Sequence, residues 1–227
     1  SFFLTGNIPV YVTSSYSRIC WYVWKMPRQI KKEPTRIGYL GMIVMAEKAA
    51  VFIDGGYLNK INTEKFKLDY QKLVSRLLGS SMELWRAYYY NCLPYKSSDP
   101  SEDDKERFNN AQRFYDRLKK IPRMSVRLGK LKYRGEDKNN KPIFEQKQVD
   151  LMLGLDIASV CLSGRVETVI LLSGDGDMLP AVKTAKDENI IVRLAHGSSD
   201  TYDQALWDEA DERIALSEVF FQECLLR

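Results

Sequence analysis

Apolar positions along this chain change rhythm repeatedly, from short continuous runs to helical stripes and back. Lys48 to Asp54 is a short apolar run that ends in a carboxylate and Gly55-Gly56. It reads as a buried strand leading into a loop. Asp69 caps a helix with Tyr70, Leu73, Val74, Leu77 and Leu78 on one stripe and Gly79 at its end. Met82 to Cys92 is aromatic-rich and strand-like. Ser101 with Asp104 forms a capping-box signature for a long helix, with Phe108, Ala111, Phe114, Tyr115 and Leu118 inward and Pro122 as its stop.

Ser125 to Tyr133 alternates imperfectly as a strand, Arg134 to Pro142 is a charged turn, and Ile143 to Gln146 returns to make a hairpin. Val149 to Leu162 is apolar nearly all round, which predicts a helix buried on most of its surface. Thr168 to Leu172 predicts a strand, Ser173 to Asp177 its terminal turn, and Met178 to Asp187 a helix; Ile190 to Leu194 predicts another strand, and Ser217 caps a final helix. Steady alternation of strand and helix implies an α/β fold with a mainly parallel sheet and helices on both faces. The ligand crevice of such sheets lies beyond the carboxyl ends of the strands.

Composition narrows the picture only slightly. A chain of 227 residues is long enough for a sizeable core, and its net charge of +4 permits a polyanionic partner without demanding one. Cys20, Cys92, Cys161 and Cys224 form no C-x-x-C pair, so neither a zinc framework nor a disulfide scaffold is expected, and a cytoplasmic setting is the simplest reading. No run of about 18 apolar residues marks a membrane span. Residues 1–45 divide from the rest: their aromatic and basic stretch, with Trp21, Trp24, Lys25, Arg28, Lys31 and Lys32, reads as a leader or small appendage without assigned chemistry. The regular pattern occupies residues 46–227.

Two acidic sites fall at the predicted crevice. Asp54 ends the first strand, and Asp175 and Asp177 lie in the turn after the Thr168 strand. If these strands are neighbours, the three aspartates converge, and Asp150 at the start of the buried helix suits the helix dipole. Gathered carboxylates repel unless one takes a proton or a hard divalent cation joins them. One or two such ions can activate water against a phosphodiester. Taken singly, each acid also has an ordinary reading, as a turn residue or a helix cap.

Three segments resemble the NYN domains, a PIN-like family that includes LabA-type bacterial proteins. V-F-I-D-G-G-Y-L-N at Val51 to Asn59 matches the first acidic strand and its small-residue loop. Q-K-Q-V-D-L-M-L-G-L-D at Gln146 to Asp156 resembles the family's K-x-V-D helix, and V-I-L-L-S-G-D-G-D-M-L-P at Val169 to Pro180 is similar to its S-G-D-x-D segment. The resemblance implies a three-layer α/β/α sandwich and a Mg²⁺- or Mn²⁺-dependent nuclease, most naturally a ribonuclease acting on single-stranded RNA. It assigns Asp54, Asp150, Asp175 and Asp177 as catalytic and metal-holding positions. Asp156 also matches, but six residues of helix turn it about 240° from Asp150, so it is expected to bind backbone or a supporting group. Where many relatives have Asn, this chain has Tyr57, and Asn59 follows two residues later.

The nucleic acid is expected near the hairpin, where Arg123, Arg127, Lys130, Lys132, Arg134, Lys138, Lys141 and Lys147 gather around Tyr133 and Phe144. A solvated charged hairpin is the plain alternative. Lys147, Ser173, Asn59, Lys130, Lys132 and Arg134 are the candidate substrate-binding residues, and a homo-oligomer is left open. His196 is read as structural, since metal-based hydrolysis needs no imidazole base. Two competing functions differ in kind. A haloacid-dehalogenase-like phosphatase would need a second acid two residues after Asp54, where Gly56 stands. A non-catalytic RNA-binding or regulatory module that retains the acidic pocket needs no such change.

Overall fold

The computed structural model describes residues 46–95, 100–136 and 142–226, with backbone only at 132, 136, 142 and 144–147. The expectations for residues 1–45, Lys138 and Lys141 lie outside the described residues, as do those for the side chains of Lys132, Phe144 and Lys147. Among the described residues seven strands form one sheet: β1 (Glu47–Asp54), β2 (Met82–Cys92), β3 (Met124–Glu136), β4 (Pro142–Lys147), β5 (Thr168–Leu172), β6 (Ile191–His196) and β7 (Glu212–Ala215). Their order is β4-β3-β2-β1-β5-β6-β7; every pairing is parallel except the β3–β4 hairpin.

The helices are α1 (Gly55–Ile61), α2 (Tyr70–Leu78), α3 (Glu102–Lys119), α4 (Val149–Leu162), α5 (Leu179–Asp187), α6 (Gln204–Glu209) and α7 (Glu218–Glu223). They divide between the two faces of the sheet. On one face Val51, Ile53 and Tyr89 pack with Leu58, Leu73, Leu77, Leu118 and Phe221. On the other, Phe52, Tyr88 and Leu171 pack with Leu153, Ile157, Val182 and Leu206. Alternate residues of one strand thus enter opposite cores, as the period of a pleated strand requires. The central strands β1 and β5 are buried on both sides, with Ala49 to Ile53 and Thr168 to Leu172 almost wholly removed from water. That is why both read as continuous apolar runs instead of alternating ones. The expected three-layer α/β/α architecture is the one observed.

Two differences from the sequence reading matter for the site. The segment after Asp54 is helical, not a loop, with Asp54 as its N-cap: one carboxylate oxygen accepts from the Gly56 and Tyr57 amides at 2.9 and 3.1 Å. Such a cap stabilises a helix by about 1 kcal/mol. A pair of glycines disfavours a helix, and the burial of Tyr57, Leu58 and Ile61 joins the cap in holding these seven residues in place. Helix α4 is less buried than its composition predicts. Leu151, Leu155 and Leu162 are each more than 60% exposed on its outer side, because one face meets the sheet and the opposite face meets nothing described.

The order of strands also creates a switch point. From β1 the chain moves outward through β2 and β3, then returns through α4 to β5 on the other side of β1. Connections leave β1 and β5 in opposite directions, and a crevice opens beyond their carboxyl ends. Strand β3 outruns β2, whose last pair is Cys92 with Gly129, so the hairpin from Lys130 onward projects beyond this same edge.

Candidate active site at the sheet switch point

The cleft at the switch point has a volume of about 390 Å³, and Asp54, Asp150 and Asp175 all line it, with Tyr57, Lys60, Gly174 and Thr201. Each carboxylate comes from a different element. Asp54 closes β1, Asp175 follows β5, and Asp150 stands in the first turn of α4. Neighbouring parallel strands deliver the first two: Ile53 pairs with Leu172, one residue short of each turn. The condition that these two strands be neighbours is therefore met.

Asp150 arrives by a different route. Lys147 pairs with Lys130 where the hairpin rejoins the sheet, and Gln148 then turns into α4 with φ 76°. A side chain in this left-handed region costs on the order of 1 kcal/mol or more, and Gln148 makes no side-chain cap to offset it. The strained step joins hairpin to helix and sets Asp150 at the cleft.

The surroundings of Asp54 and Asp150 disfavour their ionised forms. Burial pushes the Asp54 carboxyl above its ordinary value, and the charge of Asp175 adds to the rise, while the Tyr57 and Gly56 amides and Ser173 oppose it. Asp150 is also raised, by loss of hydration first and then by the charges of Asp175, Asp54 and Asp177. No lysine or arginine among the described residues offsets either one. Asp177 stands beside the cleft, donating its amide to Asp175 at 3.0 Å, and does not line it.

Ser173 is 1% exposed and joins the two strand ends. Its Oγ accepts from the Asp175 amide at 3.2 Å and donates to Asp54 at 3.4 Å. Its role here is to cap the turn and orient Asp54, and it does not line the cleft. The glycines of the turn admit protein instead of an open approach. A β-carbon on Gly174 would overlap the Tyr57 ring and the Thr201 carbonyl, and one on Gly176 would press on Asp203.

Tyr57 organises the far wall. Its hydroxyl accepts from the Gly197 amide at 3.0 Å and meets Thr201 Oγ1 at 3.0 Å. Thr201 spends its own proton on the Ser198 carbonyl, so Tyr57 is the donor in their pair. Lys60 reaches the Thr201 carbonyl at 3.4 Å and brings a cation to the cleft. Neither Lys60 nor Thr201 was singled out from sequence. Lys60 lies beyond the matching motif, in a helix whose opening glycines give the pattern of a loop, and the Tyr57–Thr201 contact spans 144 residues.

Several sequence assignments are redistributed. Asn59 does not line the aspartate cleft; it faces a neighbouring cavity, one helical step round from Lys60. Arg123 pairs with Glu83 at 3.0 Å at the amino-terminal start of β3, far from the carboxyl edge. Arg127 pairs with Asp156 at 3.1 Å, and Tyr90 donates to the same carboxylate at 2.8 Å. Asp156 thus binds side chains of β2 and β3 and takes no part in the cleft. Lys130 and Arg134 are exposed on the projecting hairpin, with Tyr133. His196 is built into the fold: its Nε2 accepts from Trp207 Nε1 at 3.4 Å, which leaves Nδ1 to donate to the Gly197 carbonyl at 2.8 Å.

The donor set fits a hard divalent cation, being three carboxylates gathered in one cleft. Among the described residues no three His, Cys, Asp or Glu side chains form a ready-made grip on one ion. Mg²⁺ does not need one, since it commonly takes one or two carboxylates and completes its shell with waters and phosphate oxygens.

A three-layer sandwich with acids gathered at its switch point defines a PIN-like protein of nuclease type. The NYN domain model matches residues 48–217, and the chain belongs to that family. PIN-like nucleases typically use divalent metal ions. No functionally curated protein matches the chain. Among solved structures it resembles a protein of unknown function from Vibrio parahaemolyticus, with 22% identity, a TM-score of 0.54, and coverage of 80% of this chain and 97% of that one. That likeness concerns the fold alone. No helix among the described residues is long and apolar enough to cross a membrane.

Proposed function

We propose that this domain is a divalent-metal-dependent ribonuclease that hydrolyses phosphodiester bonds in single-stranded RNA. The observation that carries the reading is the convergence of Asp54, Asp150 and Asp175 on one cleft, where no lysine or arginine among the described residues offsets the raised carboxyls of Asp54 and Asp150. Asp54, Asp150 and Asp175 would hold Mg²⁺ or Mn²⁺, with Asp177 adding negative charge beside them. When bound there, such an ion would supply water activation and charge stabilisation at the phosphate.

The chain's own residues do the rest. Amides of Gly56 and Tyr57 fix the Asp54 carboxylate from one side and Ser173 from the other, so its orientation is set before substrate enters. Lys60 offers a point charge to a backbone phosphate at the cleft wall. Lys130 and Arg134, with exposed Tyr133, extend a basic and aromatic surface along the hairpin that suits an unpaired strand. Buried free thiols at Cys161 and Cys224 suit a reducing, cytoplasmic setting.

The test is direct. Purified protein should cut labelled single-stranded RNA with Mn²⁺ or Mg²⁺, stop on addition of EDTA, and lose cleavage in Asp54→Asn while still binding RNA. Retained binding with no cleavage of any RNA or DNA would leave a binding module instead.

A further inference from the structure

A second cavity, of about 760 Å³, lies on the opposite side of α1 from the acidic cleft. Its size falls within the range of ligand sites. Half-buried Phe66, Tyr70 and Phe114 supply apolar and aromatic surface, and Tyr70 and Phe114 meet edge to face with centroids 5.6 Å apart. Lys67 and Arg117 line it from two sides, one on the α1–α2 connection and one on the last turn of α3. Neither side chain has an ion pair or hydrogen bond among the described residues. One acid, Asp69, also lines the cavity, but its carboxylate is engaged in capping α2 through the Gln71 and Lys72 amides at 2.9 and 3.2 Å.

We infer that this cavity is a nucleotide-binding exosite, taking an unpaired base against Tyr70 and Phe114 and its flanking phosphates against Lys67 and Arg117. Charge selects this occupant. Two unpaired cations beside an aromatic floor complement an anion with a flat face. Position selects it as well. Helix α1 presents Tyr57 and Lys60 to the acidic cleft and Leu58 and Asn59 to this cavity, so the two sites share one wall. A helix is about 10 Å across, a span of on the order of two or three nucleotides. One strand can therefore engage both. The inference rests on the ribonuclease reading for its strand, and it assigns Asn59 to the exosite.

The experiment measures anisotropy of labelled single-stranded RNA in EDTA, using a short and a long oligonucleotide of about 4 and about 20 nucleotides. The variant carries Lys67→Ala and Arg117→Ala together, both at exposed positions, with its melting temperature checked against the parent. It should bind the long RNA roughly tenfold more weakly, with a salt slope shallower by about 1.4. Cleavage of the short RNA in Mn²⁺ should be unchanged. Unaltered binding of the long RNA would overturn the exosite while leaving the nuclease reading intact. Equal loss on both RNAs would overturn it too, as would a change of oligomeric state, which would give the cavity to a second copy. Free adenosine monophosphate binding as tightly as the long RNA would also overturn it, in favour of a separate small-molecule site. A parent protein that binds long RNA through this cavity but cleaves none would keep the exosite and remove the nuclease; one that binds no RNA would remove both.

Discussion

Helix α4 carries two aspartates whose situations are opposite. Asp156 is matched: the Arg127 guanidinium and the Tyr90 hydroxyl both reach one of its oxygens. Asp150, six positions earlier, faces Asp54 and Asp175 and has no counter-charge among the described residues. One acid has the partners that a folded interior demands of a carboxylate, and the other has been placed where its charge is opposed. An arrangement that holds stability down without compensation is what a binding or catalytic site requires. The same chemical group, on the same element, thus separates into a structural and a functional role by its neighbours alone.

The sharpest way to break this comparison is activity. Asp54→Asn and Asp150→Asn should each reduce cleavage in Mn²⁺ by roughly a thousandfold or more, since each removes a carboxylate the ion would use. Asp156→Asn should stay within about tenfold of the parent in a gel-based cleavage assay. Comparable losses in all three variants would mean that Asp156 and Asp150 form one unit, and the distinction would collapse.

The next effect concerns the wall shared by both strand ends. Gly174→Ala would drive a methyl group into the Tyr57 ring and the Thr201 carbonyl, and backbone on one side leaves little room to yield. Overpacking of this kind costs about 1–3 kcal/mol. Its signature is a lower urea midpoint together with a loss of activity, because the displaced Tyr57 and Thr201 line the cleft. Unchanged stability would show that the Gly197 to Thr201 loop is free to move aside.

Asp156→Asn tests the matched acid through stability. The pair with Arg127 is partly exposed, with side chains 24% and 46% accessible for Asp156 and Arg127, which discounts its electrostatic value. Keeping an amide at the position retains one acceptor for Tyr90, so the loss should be about 1 kcal/mol, or a fall of roughly 2–4 °C in melting temperature. Asp156→Ala should cost more, since it leaves the buried Tyr90 hydroxyl without its acceptor.

The separation of these two acids was legible in part. Their spacing already excluded a common direction, and the ends of the apolar runs at Asp54 and Ser173 already marked the crevice, because strands buried on both faces leave an unbroken hydrophobic signal. What sequence could not supply was the partner of each acid. Arg127 and Tyr90 lie on other strands, 29 and 66 residues away, and nothing local in their pattern distinguishes Arg127 from the other basic residues of the hairpin. Helix α1 was hidden because two glycines open it and seven residues are too few to show a period. Missing that helix exchanged Asn59 for Lys60 at the cleft. Helix α4 failed in the other direction: residues apolar all round carry no phase, so its exposed leucine stripe could not be seen.

The smallest effect is also the most discriminating, because its sign is unusual. Asp150 is raised in the folded protein by reduced hydration and by three neighbouring aspartates. A carboxyl raised on folding favours the native state while protonated, and that stability is lost as pH climbs through its folded value. At neutral pH the ionised Asp150 therefore works against the metal-free fold. Asp150→Asn should raise the melting temperature in EDTA by about 1–3 °C, with solvent exposure limiting the gain, and the gain should shrink as pH falls toward the range where Asp150 is already protonated. Addition of Mn²⁺ should reverse the order, stabilising the parent and leaving the variant behind. A variant less stable than the parent in EDTA at neutral pH would mean that Asp150 has a cationic partner in the folded chain, and the contrast with Asp156 would disappear.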